Sequence, residues 1–178
     1  QINSIISASK PAGLVEIAND NAPGQIVISG AADAVDKAID EAKAAGLRRA
    51  IKLPVSAPFH CGLMAPAADV MRAALATSQI SDAVMPVFCN VTAAAETAAD
   101  KLRDNLVTQV TARVRWRESL IAMRATGCQR YVELGTGKVL SGLVKRSLED
   151  VSVVNLESIN YLRSIIFLVC RYSPALIL

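Results

Sequence analysis

The sequence predicts an α/β chain, and three observations carry the prediction. Apolar residues recur with a period near two in some segments and near 3.6 in others. The two kinds of segment alternate through most of the 178 residues, which is the pattern of strands covered by helices. Hydrophobic residues make up 52% of the chain and aromatics only 4%. A buried core is therefore feasible, built from Ala, Val, Leu and Ile.

Ile2, Ile5 and Ile6 share one helical face, and Lys10-Pro11 ends that helix. "GLVEIAND" reads as a strand running into a polar turn. In "APGQ", Pro23 and Gly24 take the two central positions of a type II turn. The β-branched "QIVISG" is the strand that follows. "AADAVDKAIDEAKAAG" is a helix with Val35, Ala38, Ile39 and Ala42 as its buried stripe and Gly46 as its stop. "RRAIKLPV" reads as one more strand. Helix, strand, strand, helix, strand is a ferredoxin-like βαββαβ plan lacking its first strand. Residues 1–53 are expected to form such an incomplete small subdomain, with the chain starting inside it.

A second unit begins near Pro54. Cys61 to Ser78 is mostly helical, with Leu63, Val70, Ala74 and Leu75 expected to face inward. "MPVFCNVTA" is a short strand ending in a polar turn. "DKLRDNLVTQV" is an amphipathic helix with Leu102, Leu106, Val107 and Val110 as its stripe. "RESLIAMRATG" is a helix stopped by Gly127, "RYVELG" a strand, "TGKVLSGLVKRSLED" a helix and "VSVVNLE" a strand. This alternation predicts a mostly parallel sheet with helices on its faces. The last stretch, "RSIIFLVCRYSPALIL", is apolar without a clean helical period and is too short to span a bilayer.

Composition removes several classes of function. The net charge is +3, and the basic residues are scattered: Arg48, Arg49 and Lys52; Arg113, Arg115 and Arg117; Lys145 and Arg146. Without a dense basic run or interleaved aromatics, nucleic acid is not the expected partner. A weakly basic face for an acidic partner remains. Cys61, Cys89, Cys128 and Cys170 are widely spaced, no C-x-x-C occurs, and one histidine cannot complete a zinc-finger set. No metal is expected, and free thiols point to a reducing, cytoplasmic compartment. No window reaches the length of a membrane span. The opening "QINSIISASKPAG" lacks Met and any signal-peptide pattern.

The residues that could carry chemistry are few. His60, the one histidine, sits in "LPVSAPFHCGLM". Pro54 and Pro58 fix two φ angles and push Leu53 and Ala57 into extended geometry, so the loop holds a side chain still. An imidazole suits general base work, but a base needs a nucleophile. The chain contains no G-x-S-x-G elbow. Ser56 lies upstream on the loop without elbow geometry, and Cys61, adjacent in sequence, is expected to point away. "VELGTGKVLSGL" could cradle an anion where strand meets helix, or it is simply a tight turn. Its Gly135 and Gly137 are too close for a P-loop, and Val139 follows Lys138. Asn19, Asp20 and Asn21 read as turn chemistry or as the polar wall of a cleft. Gln109, near a predicted helix end, is on its own an ordinary polar residue.

Taken in order, "NDNAPGQIVISG", "LPVSAPFHCGLMAPAA", "MPVFCNVTA", "LVTQVTARVRWRESL" and "VELGTGKVLSGLVKR" resemble malonyl-CoA:acyl carrier protein transacylase. The likeness runs from about Gln1 to Leu156 and covers about the C-terminal half of that family's domain. It implies a partial α/β-hydrolase-like acyltransferase large subdomain with an inserted ferredoxin-like small one. Residues 1–53 would be the small subdomain, 54–156 the C-terminal part of the large one, and 157–178 an atypical tail. The implied chemistry is ping-pong transfer of a malonyl group from malonyl-CoA, through an acyl-serine, to the phosphopantetheine thiol of acyl carrier protein in fatty acid biosynthesis. The resemblance makes His60 the general base that activates the serine. It makes the backbone carbonyl of Gln109 the group that orients the imidazole, and Asn21 a substrate-side asparagine near the cleft. It implies malonyl-CoA and acyl carrier protein as partners, no cofactor, and a monomer at full length. The serine, the oxyanion-hole donors and the arginine for the malonyl carboxylate belong to the family's upstream half and have no counterpart here. "PFHC" stands for the family's "PSHC" and "GTGK" for "GPGK". Two other readings accompany this one: a truncated, non-catalytic fragment, and a carrier-protein-binding module using Arg48, Arg49 and Lys52.

Overall fold

A computed structural model describes residues 1–157, so the expected tail lies outside the described residues but for Glu157. The elements run α1 (Ile2–Ser9), β1 (Val15–Ala22), β2 (Gln25–Gly30), α2 (Ala32–Ala44), α3 (Ala65–Ala76), β3 (Val87–Cys89), β4 (Ala94–Glu96), α4 (Ala99–Thr108), α5 (Trp116–Ala125), β5 (Arg130–Leu134), α6 (Val139–Ser147) and β6 (Ser152–Leu156). The described residues are α/β with three two-stranded sheets.

The first sheet is a hairpin. β1 and β2 pair antiparallel from Val15–Gly30 to Ala22–Gln25. Gly24, at φ 71°, supplies the left-handed residue that a type II turn requires after Pro23. β1 slips register twice, between Ile17 and Asn19 and again between Asp20 and Ala22. Helices α1 and α2 cover this hairpin. Ile6, Val15 and Ala34 form one cluster, and Ile5, Ala38 and Ala42 another. The buried stripe of α2 is Ala34, Ala38 and Ala42, with Val35 and Ile39 half-buried beside it. Small residues there let α1 and the hairpin approach closely. α2 ends as its glycine predicts. Gly46 is left-handed at φ 77°. Its N–H bonds the Lys43 carbonyl at 3.0 Å, and the Leu47 N–H bonds the Ala42 carbonyl at 2.9 Å, the paired closure of a Schellman motif. Leu47 packs back onto the Ile5–Ala38–Ala42 cluster.

Three expectations change. The strand predicted in "RRAIKLPV" does not form, because no described strand lies beside it to complete a ladder. The free edge of β1 pairs instead with residue 114. Asp20 N–H donates to Val114 O at 2.9 Å, and Val114 N–H to Ala18 O at 2.8 Å. The mostly parallel sheet reduces to one parallel pair, β5 with β6, crossed over by α6. β3 and β4 form an antiparallel hairpin instead, and the Ala-rich "AAE" of β4 gave no strand signal. In α3 only Ala68 is buried; Leu63 lies just before it and Val70 within it, and both are exposed. Among the described residues α3 packs chiefly on α4, and most of its surface has no cover.

The larger core is built by Ala22, Phe88, Trp116, Leu120, Met123, Tyr131, Leu143 and Val144. Ala22 belongs to β1, so the end of the hairpin is sealed into the core of the later elements.

Candidate active site

His60 lies half-buried in the segment between α2 and α3 that carries the two prolines. Its backbone is left-handed at φ 59°, a conformation that strains a residue with a Cβ. Its Nδ1 stands 3.0 Å from the carbonyl oxygen of Gln109. A carbonyl only accepts, so Nδ1 carries the proton, and in the neutral ring the lone pair is left on Nε2. That is the tautomer a general base needs.

The Gln109 carbonyl is free for this contact for a physical reason. Gln109 caps α4, and the last carbonyls of a helix have no intrahelical donor. Most of its neighbours find donors in the following turn: Asn105 O takes Gln109 N–H, Val107 O takes Val110 N–H, and Thr108 O takes Ala112 N–H. The imidazole takes the one at Gln109. Because the contact uses the backbone, the identity of residue 109 carries little signal for it.

The segment after Gln109 is tied down from several sides. The Arg115 guanidinium donates to Val91 O at 3.2 Å and Thr92 O at 3.0 Å, and also pairs with Glu118. That pairing holds the Glu118 carboxyl below its ordinary range, against the smaller opposing effect of burial. Arg117 grips the buried Asp20 with both ends of its fork, Nε to Oδ1 at 2.9 Å and Nη2 to Oδ2 at 2.6 Å. This pair joins β1 to α5 across 97 residues of sequence. Nothing in the residue pattern announces it.

The remaining candidates sort themselves by position. Asn21 is half-buried in the second register slip of β1. Among the described residues its side chain makes no hydrogen bond to His60 or Gln109. Ser56 is exposed on the loop. Cys61 is fully buried with its thiol on Pro58 O at 3.1 Å, turned into the protein. The helix end after "GTGK" holds an internal anion. Glu133 accepts from the N–H groups of Leu140 at 3.0 Å and Ser141 at 2.9 Å. Burial raises the Glu133 carboxyl, and the bonds from Ser141, Leu140 and Asn155 together outweigh it and hold it below its usual range. The tight-turn reading is the one the geometry supports. Cys61, Cys89 and Cys128 are free thiols, and burial pushes the Cys89 thiol up. Among the described residues no metal-binding cluster occurs, and no helix is long and apolar enough to cross a membrane. Two depressions of about 280 and 380 Å³ include neither His60 nor Gln109 in their walls.

The chain that carries this histidine–carbonyl contact has relatives among curated proteins and solved structures. The chain is 45% identical over 149 residues to the malonyl CoA-acyl carrier protein transacylase of Bacillus subtilis, over 82% of this chain and 47% of that protein. Its sequence is similar to this transacylase family over most of its length. It corresponds to the C-terminal part of the malonyl CoA-acyl carrier protein transacylases and spans about half the length of the curated relatives it matches. The acyl-carrier-protein-S-malonyltransferase of Bartonella henselae superimposes with a TM-score of 0.89 at 40% identity, covering 94% of this chain and 53% of that one. A malonyl-transacylase in complex with its type II PKS acyl-carrier protein superimposes at 0.84 with 38% identity, covering 91% of this chain and 53% of that one. No family model matches the chain.

Proposed function

We propose that this chain carries the histidine side of a site that moves a malonyl group from malonyl-CoA to the phosphopantetheine thiol of acyl carrier protein, a step of fatty acid biosynthesis. The observation that carries the reading is the 3.0 Å contact between His60 Nδ1 and the Gln109 carbonyl. In this reading a serine hydroxyl, from the part of the family's domain that this chain does not span, gives its proton to His60 Nε2 and attacks the thioester carbonyl. The imidazolium that forms keeps its Nδ1–H on Gln109, so the ring holds its orientation in both protonation states. It returns the proton to the departing coenzyme A sulfur. In the second half, Nε2 takes the proton of the carrier's thiol. The thiolate attacks the acyl-serine, and the imidazolium gives the proton back to the serine oxygen. A carbonyl thus replaces the carboxylate of a Ser-His-Asp triad as the orienting group. Asn21 stands on the substrate side of the cleft. Residues 1–53 form an incomplete ferredoxin-like small subdomain and 54–156 the C-terminal part of the large one. On its own the chain has no acyl-serine route and is expected to be inactive.

The test is a chimera in which this chain replaces the matching part of the Bacillus subtilis relative. The chimera is expected to transfer malonyl groups, and His60→Ala to lower its kcat about 10⁶-fold, the usual loss when a serine nucleophile loses its base. Turnover unchanged by His60→Ala would refute the base role.

A further inference from the structure

We infer that Glu16 is a positioning residue for His60, acting through the backbone of Gly62. The Gly62 N–H, two residues after His60, donates to Glu16 Oε2 at 2.7 Å. Glu16 lies 46 residues away in β1, where pairing with Ser29 fixes its place in the hairpin. Its neighbours Val15 and Ala18 are buried in the core, while Glu16 is exposed and reaches out to the histidine loop.

The contact matters because of what His60 lacks. A left-handed residue that is not glycine relaxes unless its surroundings hold it. His60, at φ 59°, belongs to no helix or strand of its own. Three contacts bracket it. The Cys61 thiol donates to Pro58 O at 3.1 Å, the Met64 N–H donates to Cys61 O at 3.0 Å, and the Gly62 N–H donates to Glu16. The first two close the loop on itself. Of these three, the third alone ties the loop's backbone to a different element, as the Gln109 carbonyl ties the ring, and it does so with a charge-assisted bond. It fixes the Cys61–Gly62 peptide, and with it the direction in which the chain leaves His60. A Cβ at residue 62 would also stand 3.4 Å from Leu14 Cδ1 and 3.7 Å from Glu16 Oε2, so the loop sits directly on β1. Without the carboxylate, φ at His60 relaxes and the ring swings off the Gln109 carbonyl. The inference rests on the base role proposed above.

His60 is the only histidine in the chain, so a long-range ¹H–¹⁵N spectrum of the full chain reports one imidazole. The unsubstituted chain is expected to show the Nδ1–H tautomer. Glu16→Ala is expected to give the averaged tautomers of a free imidazole, with Trp116 fluorescence confirming the fold. Glu16→Gln, which keeps an oxygen acceptor, is expected to restore the Nδ1–H form. If the alanine variant does not fold, Glu16→Thr replaces it, keeping a strand-forming side chain too short to reach Gly62. An alanine or threonine variant with the unsubstituted pattern, or a glutamine variant that loses it as fully as alanine, overturns the inference alone. Absence of the Nδ1–H form in the unsubstituted chain overturns both the orientation of the base and this inference.

Discussion

In residues 1–47 two helices close over a hairpin, and the apolar stripes of α1 and α2 meet partners within the same segment. In residues 53–156 the helices and strands are as apolar, but many stripes face outward. Leu134 in β5, Val70 in α3 and Val139 in α6 are exposed by 60%, 70% and 72%. Both regions obey the rules of strand and helix patterning. They differ in whether the neighbour that each stripe specifies lies within the described residues. The chain spans about half the length of its relatives, and the second region is where uncovered faces accumulate. An apolar stripe therefore records an intended neighbour rather than a burial achieved.

Breaking the join between the regions tests this comparison most severely. Arg117→Met leaves the Asp20 carboxylate buried and unpaired, which costs about 3–5 kcal/mol. The urea midpoint is expected to fall accordingly. An unchanged midpoint would show that the regions do not depend on this clasp. Within the second region, Leu120 is fully buried and Val139 is exposed. Leu120→Ala is expected to cost about 2–5 kcal/mol, and Val139→Ala less than about 0.5 kcal/mol. Equal losses in denaturant titrations would erase the distinction between covered and uncovered faces. In the first region, Gly46→Ala forces a Cβ into the left-handed cap of α2 and is expected to lower stability by about 1–2 kcal/mol.

The smallest effect is on pH dependence. The Glu133 carboxyl is held below its ordinary range, so its contribution is fully present above about pH 4.3, the ordinary glutamate value. It is lost as pH falls through the lower folded value. Thermal scans of Glu133→Gln should therefore lie below the unsubstituted chain at neutral pH and converge with it in acid. A gap that stays constant into acid would remove Glu133 as the titrating cap.

What was legible follows from the range of the forces involved. The hairpin was readable because Pro23-Gly24 and β-branched alternation act locally, and α2 because its stripe and Gly46 sit within one segment. The stiff loop under His60 was readable from two prolines. The missing strand near Ile51, the exposed face of α3 and the short β4 were not, because each depends on a neighbour and not on its own residues. Gln109 meets His60 through a backbone carbonyl, so only the family resemblance pointed to it. Glu16 with Gly62 and Asp20 with Arg117 are pairings across 46 and 97 positions. The Glu133 cap was hidden behind the glycines that drew attention to the same turn.

The left-handed backbone of His60 sets two demands against each other. Selection for stability alone favours glycine or asparagine at position 60, since both tolerate that conformation more easily. The base role proposed above admits neither, because neither carries an imidazole. The position is thus a local conflict between foldability and chemistry. A repertoire of stabilised variants chosen without an activity screen would drift away from histidine at position 60.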